Sequence, residues 1–137
     1  FPVCAPELAR KINPEAPHAA MAEMAQIRTY FSSTYQDDWP VWIEAAGLGN
    51  IDFAREIIFN LQVTSLQAIV NGVGVGLGRT PLIDHYLQQG MLCAPFKLKL
   101  RTGSGYYIVC PEDKAEQRRI RVFWQWACDT LGMQSNE

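Results

Sequence analysis

The stretch Thr64-Ser-Leu-Gln-Ala-Ile-Val-Asn-Gly-Val-Gly-Val-Gly-Leu-Gly-Arg-Thr-Pro-Leu-Ile83 decides which fold this chain is expected to adopt. From Val63 or Thr64 to Asn71 the residues follow a helical pattern, and Gly72 is a typical helix stop. Residues 73–77 then predict a short apolar strand, and residues 80–89 a further helix. With a strand predicted at 56–61, this succession of strand, helix, strand and helix is typical of an α/β fold with a largely parallel sheet.

The same alternation continues on both sides of this stretch. A helix with an apolar face at Trp39 and Trp42 is expected to begin at Asp37 or Asp38 and to end at Gly47. Residues 97–101 alternate between charged and apolar side chains, a pattern that favours a half-exposed strand. Further strands are predicted at 1–4, 27–31 and 106–110, and further helices at 6–12, 20–26 and 114–131.

Composition and charge exclude several classes of protein. The chain has 137 residues, of which 48% are hydrophobic and 19% charged, so it is long and apolar enough to bury a core. Its net charge of −2 lacks the basic excess that binding to a nucleic-acid backbone needs. No uncharged apolar run reaches eighteen residues and no export signal is visible, so we expect a cytoplasmic protein without a membrane partner. The start at Phe1, without a methionine, suggests that the sequence begins in mid-protein.

The glycines of the deciding stretch do not form a dinucleotide-binding fingerprint. The G-x-G-x-x-G pattern would need a third glycine where this chain has Leu77 or Arg79. The run also follows a helix, whereas the fingerprint leaves a strand and opens a helix. A helix stop followed by a closely packed strand explains these glycines better, and no cofactor is expected.

Catalytic and metal sites are not expected either. The four cysteines are Cys4, Cys93, Cys110 and Cys128. They show neither C-x-x-C spacing nor a histidine at ligand spacing, so we predict no metal site and interpret them as unpaired thiols in a reducing compartment. His18 lies in a proline-rich loop and His85 in a predicted helix, and neither accompanies a nucleophile.

A binding site for an anion is easier to build from this sequence. The predicted helix start at Val63 and Thr64 exposes backbone amides that lack intrahelical acceptors, together with a hydroxyl group. In an open α/β sheet such helix starts lie beside the carboxyl ends of strands, where ligands collect. The alternative that Thr64 only caps its helix stays open.

The deciding stretch, with Leu87-Gln-Gln-Gly-Met-Leu92 and Pro95-Phe96, resembles the second lobe of LysR-type effector domains. Residues 105–111 and 122–126 look like the closing strand and final helix of that family, and residues 2–6 like the crossover into its second lobe. Trp39 and Trp42, followed by Ala46-Gly47, are similar to the branch that contains the glycine-cleavage and β-lactamase regulators. The resemblance covers nearly the whole chain in order.

The resemblance implies a type 2 periplasmic-binding-protein-like fold, in which two α/β lobes hold a small effector in the cleft between them. Residues 5–95 would form the complete second lobe. Residues 1–4 and 96–137 would supply crossover strands and the C-terminal helix of a truncated first lobe. The implied function is effector sensing in a transcription regulator whose N-terminal winged helix-turn-helix, absent from this chain, binds DNA.

The resemblance also implies which residues face the effector. By position they are Ser32, Ser33, Gln62, Val63, Thr64 and Tyr106. Related β-lactamase regulators carry serine where this chain has Gln62, so a peptide effector cannot be assumed. The expected effector is an amino acid, a peptide or a small organic acid.

The same residues allow two alternative functions, transport and cysteine hydrolysis, and they predict self-association. A solute-binding protein for transport shares the fold, but unpaired cysteines and the missing export signal disfavour it. A cysteine hydrolase would need a hyper-reactive Cys4 or Cys110. An apolar helix stripe at Phe123, Trp124 and Ala127 would lack its own first-lobe sheet, so we expect a homodimer or a higher homo-oligomer.

Overall fold

Four strands and six α-helices make up the described part of the chain. The structure, a computed structural model, describes residues 1–30, 38–101 and 107–131. Its strands are β1 (Pro2–Val3), β2 (Ala25–Thr29), β3 (Arg55–Phe59) and β4 (Gly74–Leu77). Its helices are α1 (Pro6–Ala9), α2 (His18–Ala22), α3 (Asp38–Ala45), α4 (Gln62–Val70), α5 (Asp84–Gln88) and α6 (Arg118–Leu131), with a 3-10 turn at Glu112–Lys114. Residues 1–100 and 101–137 are two separate compact units.

The first unit is built on one mixed sheet in the order β1-β4-β2-β3. Strand β2 pairs in parallel with both β3 and β4, and β1 pairs antiparallel with β4. The three parallel strands all lead into helices, α3, α4 and α5, so the predicted α/β fold with a largely parallel sheet is confirmed. The carboxyl ends of these strands therefore meet at one edge of the sheet, which we call the carboxyl edge.

Helices cover both faces of this sheet. The register places Ile27 beside Gly76 and Gln26 beside Val75, so alternate residues point to opposite faces. One apolar cluster combines Val75 with Trp39 and Trp42 of α3. The other cluster combines Ala25, Ile27, Leu66, Ile69, Val3, Ile83 and Leu92 and packs α4 on the opposite face.

The two tryptophans of α3 place their indole N–H groups in the core, where each donates a hydrogen bond to a backbone carbonyl. Both side chains are 2% exposed. The Trp39 indole N–H donates to the Ile27 carbonyl and the Trp42 indole N–H to the Leu98 carbonyl, each at 3.3 Å. Their rings meet edge to face with centroids 6.3 Å apart. The pair therefore anchors α3 to β2 on one side and to residues near 98 on the other.

Some predicted boundaries and two predicted strands are wrong. Residues 97–101 form no strand, nor do 107–110, the described part of the strand predicted at 106–110. Leu98 and Leu100 nevertheless pack against the core, and Lys97 and Lys99 are exposed. The alternating pattern therefore predicted correctly which side chains are buried, but this segment pairs with no neighbouring strand. The helix predicted at 20–26 is displaced to His18–Ala22, because Ala25 and Gln26 enter the sheet.

The second unit contains α6, which is amphipathic as predicted and begins at Arg118, not at Lys114. Ala127 is buried, whereas Val122, Phe123 and Trp126 are between 49% and 61% exposed. The rings of Phe123 and Trp126 lie 5.6 Å apart. Val122, Phe123 and Trp126 therefore form an exposed apolar strip on α6. It differs from the stripe of Phe123, Trp124 and Ala127 that helical spacing alone predicted.

Candidate functional site

The start of α4 follows directly from the carboxyl end of β3. Strand β3 ends at Phe59, and Leu61 is the N-cap of α4 in an extended conformation, with φ −131° and ψ 133°. The Leu61 side chain makes no capping hydrogen bond. The Ser65 N–H donates to the Leu61 carbonyl at 3.1 Å. Within the described residues, it is the first backbone N–H of α4 that has a hydrogen-bond acceptor. The backbone amides of residues 62–64 are therefore available to a ligand.

Hydroxyl groups brace this helix start. The Thr64 hydroxyl donates to the Leu61 carbonyl and the Ser65 hydroxyl to the Gln62 carbonyl, both at 2.8 Å. The Thr29 hydroxyl, at the end of β2, donates to the Ser65 oxygen at 2.8 Å. Ser65 is 2% exposed. The end of β2 and the start of α4 are thus joined by a partly buried chain of hydrogen bonds.

Thr64 does not cap α4. A capping side chain accepts a hydrogen bond from a backbone amide, whereas the Thr64 hydroxyl donates to a carbonyl from the third helical position. Donating its proton to Leu61 leaves the lone pairs of this exposed oxygen available to accept a hydrogen bond from a ligand. The N-cap of α4 is therefore Leu61 and not Thr64.

The helix start is accessible and favours a negative charge. Val63 is 70% exposed and Leu61 59%, and Gln62 is partly exposed. The positive end of the helix dipole adds to the free amides, so this place can hold a carboxylate or another small anion.

An ion pair at the same edge of the sheet was missed by the sequence analysis. Arg79 follows the end of β4 by two residues, and its guanidinium pairs with the carboxylate of Asp38, the first residue of α3. Asp38 was expected only as a helix cap. The sequence signal for this ion pair would be an arginine just after a strand together with an aspartate at a helix start. No local sequence pattern, however, shows that two residues 41 positions apart are in contact.

Three of the six predicted effector-facing residues are placed together by the structure. Gln62, Val63 and Thr64 form the first turn of α4 at the carboxyl edge. Ser32, Ser33 and Tyr106 lie outside the described residues.

The described residues hold no group of three histidines, cysteines, aspartates or glutamates that could bind a metal ion. Burial raises the pKa of the Cys4 thiol to about 12, and Cys93 and Glu7 add to the increase. A low-pKa nucleophile at Cys4 is therefore excluded. Among the described helices, none has the length and apolarity that crossing a membrane requires.

Comparison with known sequences gives one family. The chain matches the LysR substrate binding domain over residues 1–132. It is 30% identical over 126 residues to the glycine cleavage system transcriptional activator of Escherichia coli strain K12, covering 92% of this chain and 40% of that protein. It is 27% identical over 134 residues to the HTH-type transcriptional activator AmpR of Pseudomonas aeruginosa, covering 97% and 43%. The chain thus spans about two fifths of the length of these relatives.

Solved structures agree with this match. The effector domain of AmpR from Pseudomonas aeruginosa superposes with a TM-score of 0.72 at 27% identity, covering 96% of this chain and 61% of that one. The AmpR effector binding domain from Citrobacter freundii gives a TM-score of 0.71 at 25% identity, covering 96% and 62%. The predicted periplasmic-binding-protein-like type 2 fold is confirmed by these neighbours.

Proposed function

Because this chain belongs to the LysR substrate-binding-domain family, the effector-sensing module of transcription regulators, we propose that its small-molecule effector binds through an anionic group at the start of α4. The observation that carries the proposal is the exposed first turn of α4, where the amides of Gln62, Val63 and Thr64 have no acceptor within the described chain. The site lies at the carboxyl edge of a parallel sheet, the usual position of ligands in such folds.

The chemistry of this turn favours a carboxylate. Three amides and a helix dipole attract an anion, and the Thr64 hydroxyl oxygen adds an acceptor for a donor group of the same ligand. An amino acid, a short peptide or a small organic acid satisfies this requirement. We propose that Ser32, Ser33 and Tyr106 complete the site. Because Gln62 stands where β-lactamase regulators carry serine, the peptide effector of that branch is not assumed here.

The rest of the proposal concerns the whole protein. The lobe division is proposed as residues 5–95 for the second lobe, and 1–4 with 96–137 for the part that joins the first. A DNA-binding winged helix-turn-helix would precede the effector domain, and the regulator would act as a cytoplasmic homo-oligomer. All four cysteines are free, which suits a reducing compartment. The raised pKa of Cys4 disfavours a cysteine nucleophile at that position.

Position 62 allows the amide and the side chain to be tested separately. Gln62→Ala removes the side chain and keeps the N–H. Gln62→Pro also removes the N–H, and proline suits this first helical position because Leu61 before it is already extended. Thr64→Val removes the hydroxyl, and Gln67→Ala is the matched control on an exposed position of the same helix.

The experiment is a thermal-shift screen of the full chain and these variants against amino acids, short peptides and small organic acids. We expect at least one carboxylate to raise the melting temperature of the wild type and of Gln67→Ala. The shift should be smaller for Thr64→Val and smallest for Gln62→Pro, with about a tenfold loss of affinity when one charge-assisted amide bond is lost. Equal stabilisation of all variants would place the effector elsewhere.

A further inference from the structure

Two of the four cysteines face each other across a β-bridge. Cys4, directly after β1, and Cys93, which follows α5, form an isolated antiparallel bridge. The Cys4 N–H donates to the Cys93 carbonyl at 3.1 Å, and the Cys93 N–H donates to the Cys4 carbonyl at 2.8 Å. In a pair that exchanges both hydrogen bonds, the two side chains project from the same face of the ladder. The two thiols therefore lie side by side, although the residues are far apart along the chain.

The spacing of such a pair suits a covalent bond between the thiols. The Cα atoms of a hydrogen-bonded antiparallel pair lie about 5.5 Å apart. Disulfides join residues whose Cα atoms are about 4.4–6.8 Å apart, most often about 5.5–6 Å. The two thiols also interact electrostatically, since burial raises the pKa of Cys4 to about 12 and the neighbouring Cys93 adds to the increase. Both cysteines are free, so the structure shows the reduced pair.

The two thiols differ in their access to solvent. Cys4 is 0% exposed and belongs to the apolar cluster that contains Val75, Trp39 and Trp42. Cys93 is partly exposed. A dissolved reagent therefore reaches Cys93 first, and Cys4 reacts only with a group that is already attached there. A buried neutral thiol is a poor nucleophile towards such reagents, but a bond to an adjacent sulfur forms within one molecule and needs no encounter.

From this arrangement we infer that Cys4 and Cys93 form a reversible oxidation site, whose co-reactant is a small disulfide such as oxidised glutathione. The Cys93 thiol gives its proton to solvent, and its thiolate attacks one sulfur of the reagent. A mixed disulfide forms, and one glutathione leaves as a thiolate that takes up a proton. The Cys4 thiol then loses its proton and attacks the Cys93 sulfur, so that the second glutathione leaves in the same way. In sum, two protein thiols are oxidised to one disulfide, and the reagent is reduced to two thiols.

The disulfide would join the two ends of the proposed second lobe. Cys4 directly precedes residue 5, where that lobe is proposed to begin, and Cys93 lies beside residue 95, where it is proposed to end. In the reduced pair, two backbone hydrogen bonds connect the segments at this point. A covalent bond here closes a long loop and lowers the entropy of the unfolded chain, so the oxidised chain should be the more stable form. The consequence for the lobe rests on the proposed division, whereas the reaction does not.

The reaction is tested in the full chain carrying Cys110→Ser and Cys128→Ser, so that only the two paired cysteines remain. The folded chain is equilibrated with mixtures of oxidised and reduced glutathione, quenched with acid and digested with trypsin. We expect the tryptic peptides 1–10 and 80–97 to be linked by a disulfide and to separate on reduction. The same equilibration in urea gives the unfolded reference. The folded chain should be half oxidised at a ratio of oxidised to squared reduced glutathione that is at least about tenfold lower.

Single variants in the same background separate the two steps. Cys4→Ala should stop the reaction at Cys93 with one glutathione attached, because the second thiol is missing. Cys93→Ala should leave Cys4 unmodified in the folded chain. A mixed disulfide that persists at Cys93 while Cys4 is present would overturn the proposal, and so would easier oxidation of the unfolded chain than of the folded one. The comparison of folded and unfolded chains needs neither single variant.

The oxidation site and the effector site fail in different ways. Glutathione is itself a small peptide with carboxylates, so Gln62→Pro serves as a control for its binding at α4. We expect this variant to be oxidised as readily as the parent chain. A loss of oxidation in Gln62→Pro would show that glutathione acts through the start of α4 and would overturn direct access at Cys93. Absence of the linked peptides in the parent chain would overturn the oxidation site as well, without consequence for the effector site.

Discussion

The guanidinium of Arg79, just beyond the end of β4, pairs with the carboxylate of Asp38 at the start of α3. The pair spans 41 residues of sequence and joins two chain segments that leave neighbouring strands at the carboxyl edge. The two side chains are 35% and 30% exposed, so solvent only partly screens their attraction. Asp38 also lies where the α3 dipole favours a negative charge.

We expect this pair to couple energetically. A double-mutant cycle with Asp38→Asn and Arg79→Gln, measured by urea unfolding, should give a coupling free energy of about 0.5–1 kcal/mol. The control cycle uses Arg121→Gln and Glu116→Gln, whose atoms are 3.5 Å apart on side chains that are 70% and 89% exposed. No measurable coupling is expected there. Equal coupling in both cycles would contradict a special role for the Asp38–Arg79 pair.

The buried hydroxyl of Ser65 should matter more than the exposed hydroxyl beside it. Ser65→Ala leaves the Thr29 hydroxyl without its acceptor and should lower the free energy of unfolding by about 1–2 kcal/mol. Thr64→Ala removes a hydroxyl that also donates to a carbonyl, but in an exposed position, and should cost less than about 0.5 kcal/mol. Chemical denaturation of both variants measures the difference. A larger loss for Thr64→Ala would contradict the role assigned to the Thr29–Ser65 contact.

Gly76 is a site of close approach between β4 and α4. A methyl group on Gly76 would overlap the end of the Ile69 side chain. Gly76→Ala should therefore destabilise the fold by about 1–3 kcal/mol. Adding Ile69→Val removes the overlapping Cδ1 atom, so the double variant should be more stable than the sum of the two single losses predicts. Additive losses in thermal unfolding would show that the overlap is not the cause.

The cysteines should differ strongly in reactivity. Cys4 is 0% exposed and burial raises its pKa to about 12, whereas Cys110 is exposed. Iodoacetamide at pH 8, followed by peptide mass spectrometry, should modify Cys110 rapidly and Cys4 only after unfolding. Modification of both at similar rates in the folded chain would refute the burial of Cys4.

The same pKa shift predicts a pH dependence of stability. The thiol has a pKa of 9.0 when solvated and about 12 in the fold, so folding favours the neutral form. Its contribution to stability is complete below about pH 9 and is lost as the pH rises towards 12. Urea unfolding at pH 8 and pH 10.5 should show a steeper loss for the wild type than for Cys4→Ala. Parallel losses would mean that other groups cause the alkaline instability.

Parts of the candidate site were predictable because they depend on local chain geometry. A helix that follows a strand must present its first amides at the carboxyl edge, and residues 62–64 do so. Whether residues 97–101 form a strand could not be predicted in the same way. Its alternating pattern correctly placed Leu98 and Leu100 towards the core, but a strand also needs a neighbouring backbone to pair with.

The sequence by itself determined the order of helices and strands from β1 to α5 and the glycine stop after α4, since these depend on residues close together along the chain. The membership of the LysR family was also readable from the sequence, because the resemblance runs in order over nearly the whole chain. Tertiary structure decided which distant residues meet. The Thr29–Ser65 hydrogen bond and the Asp38–Arg79 ion pair each join segments that only the parallel sheet brings together. Side-chain contacts of this kind depend on strand order and register, which no local pattern encodes.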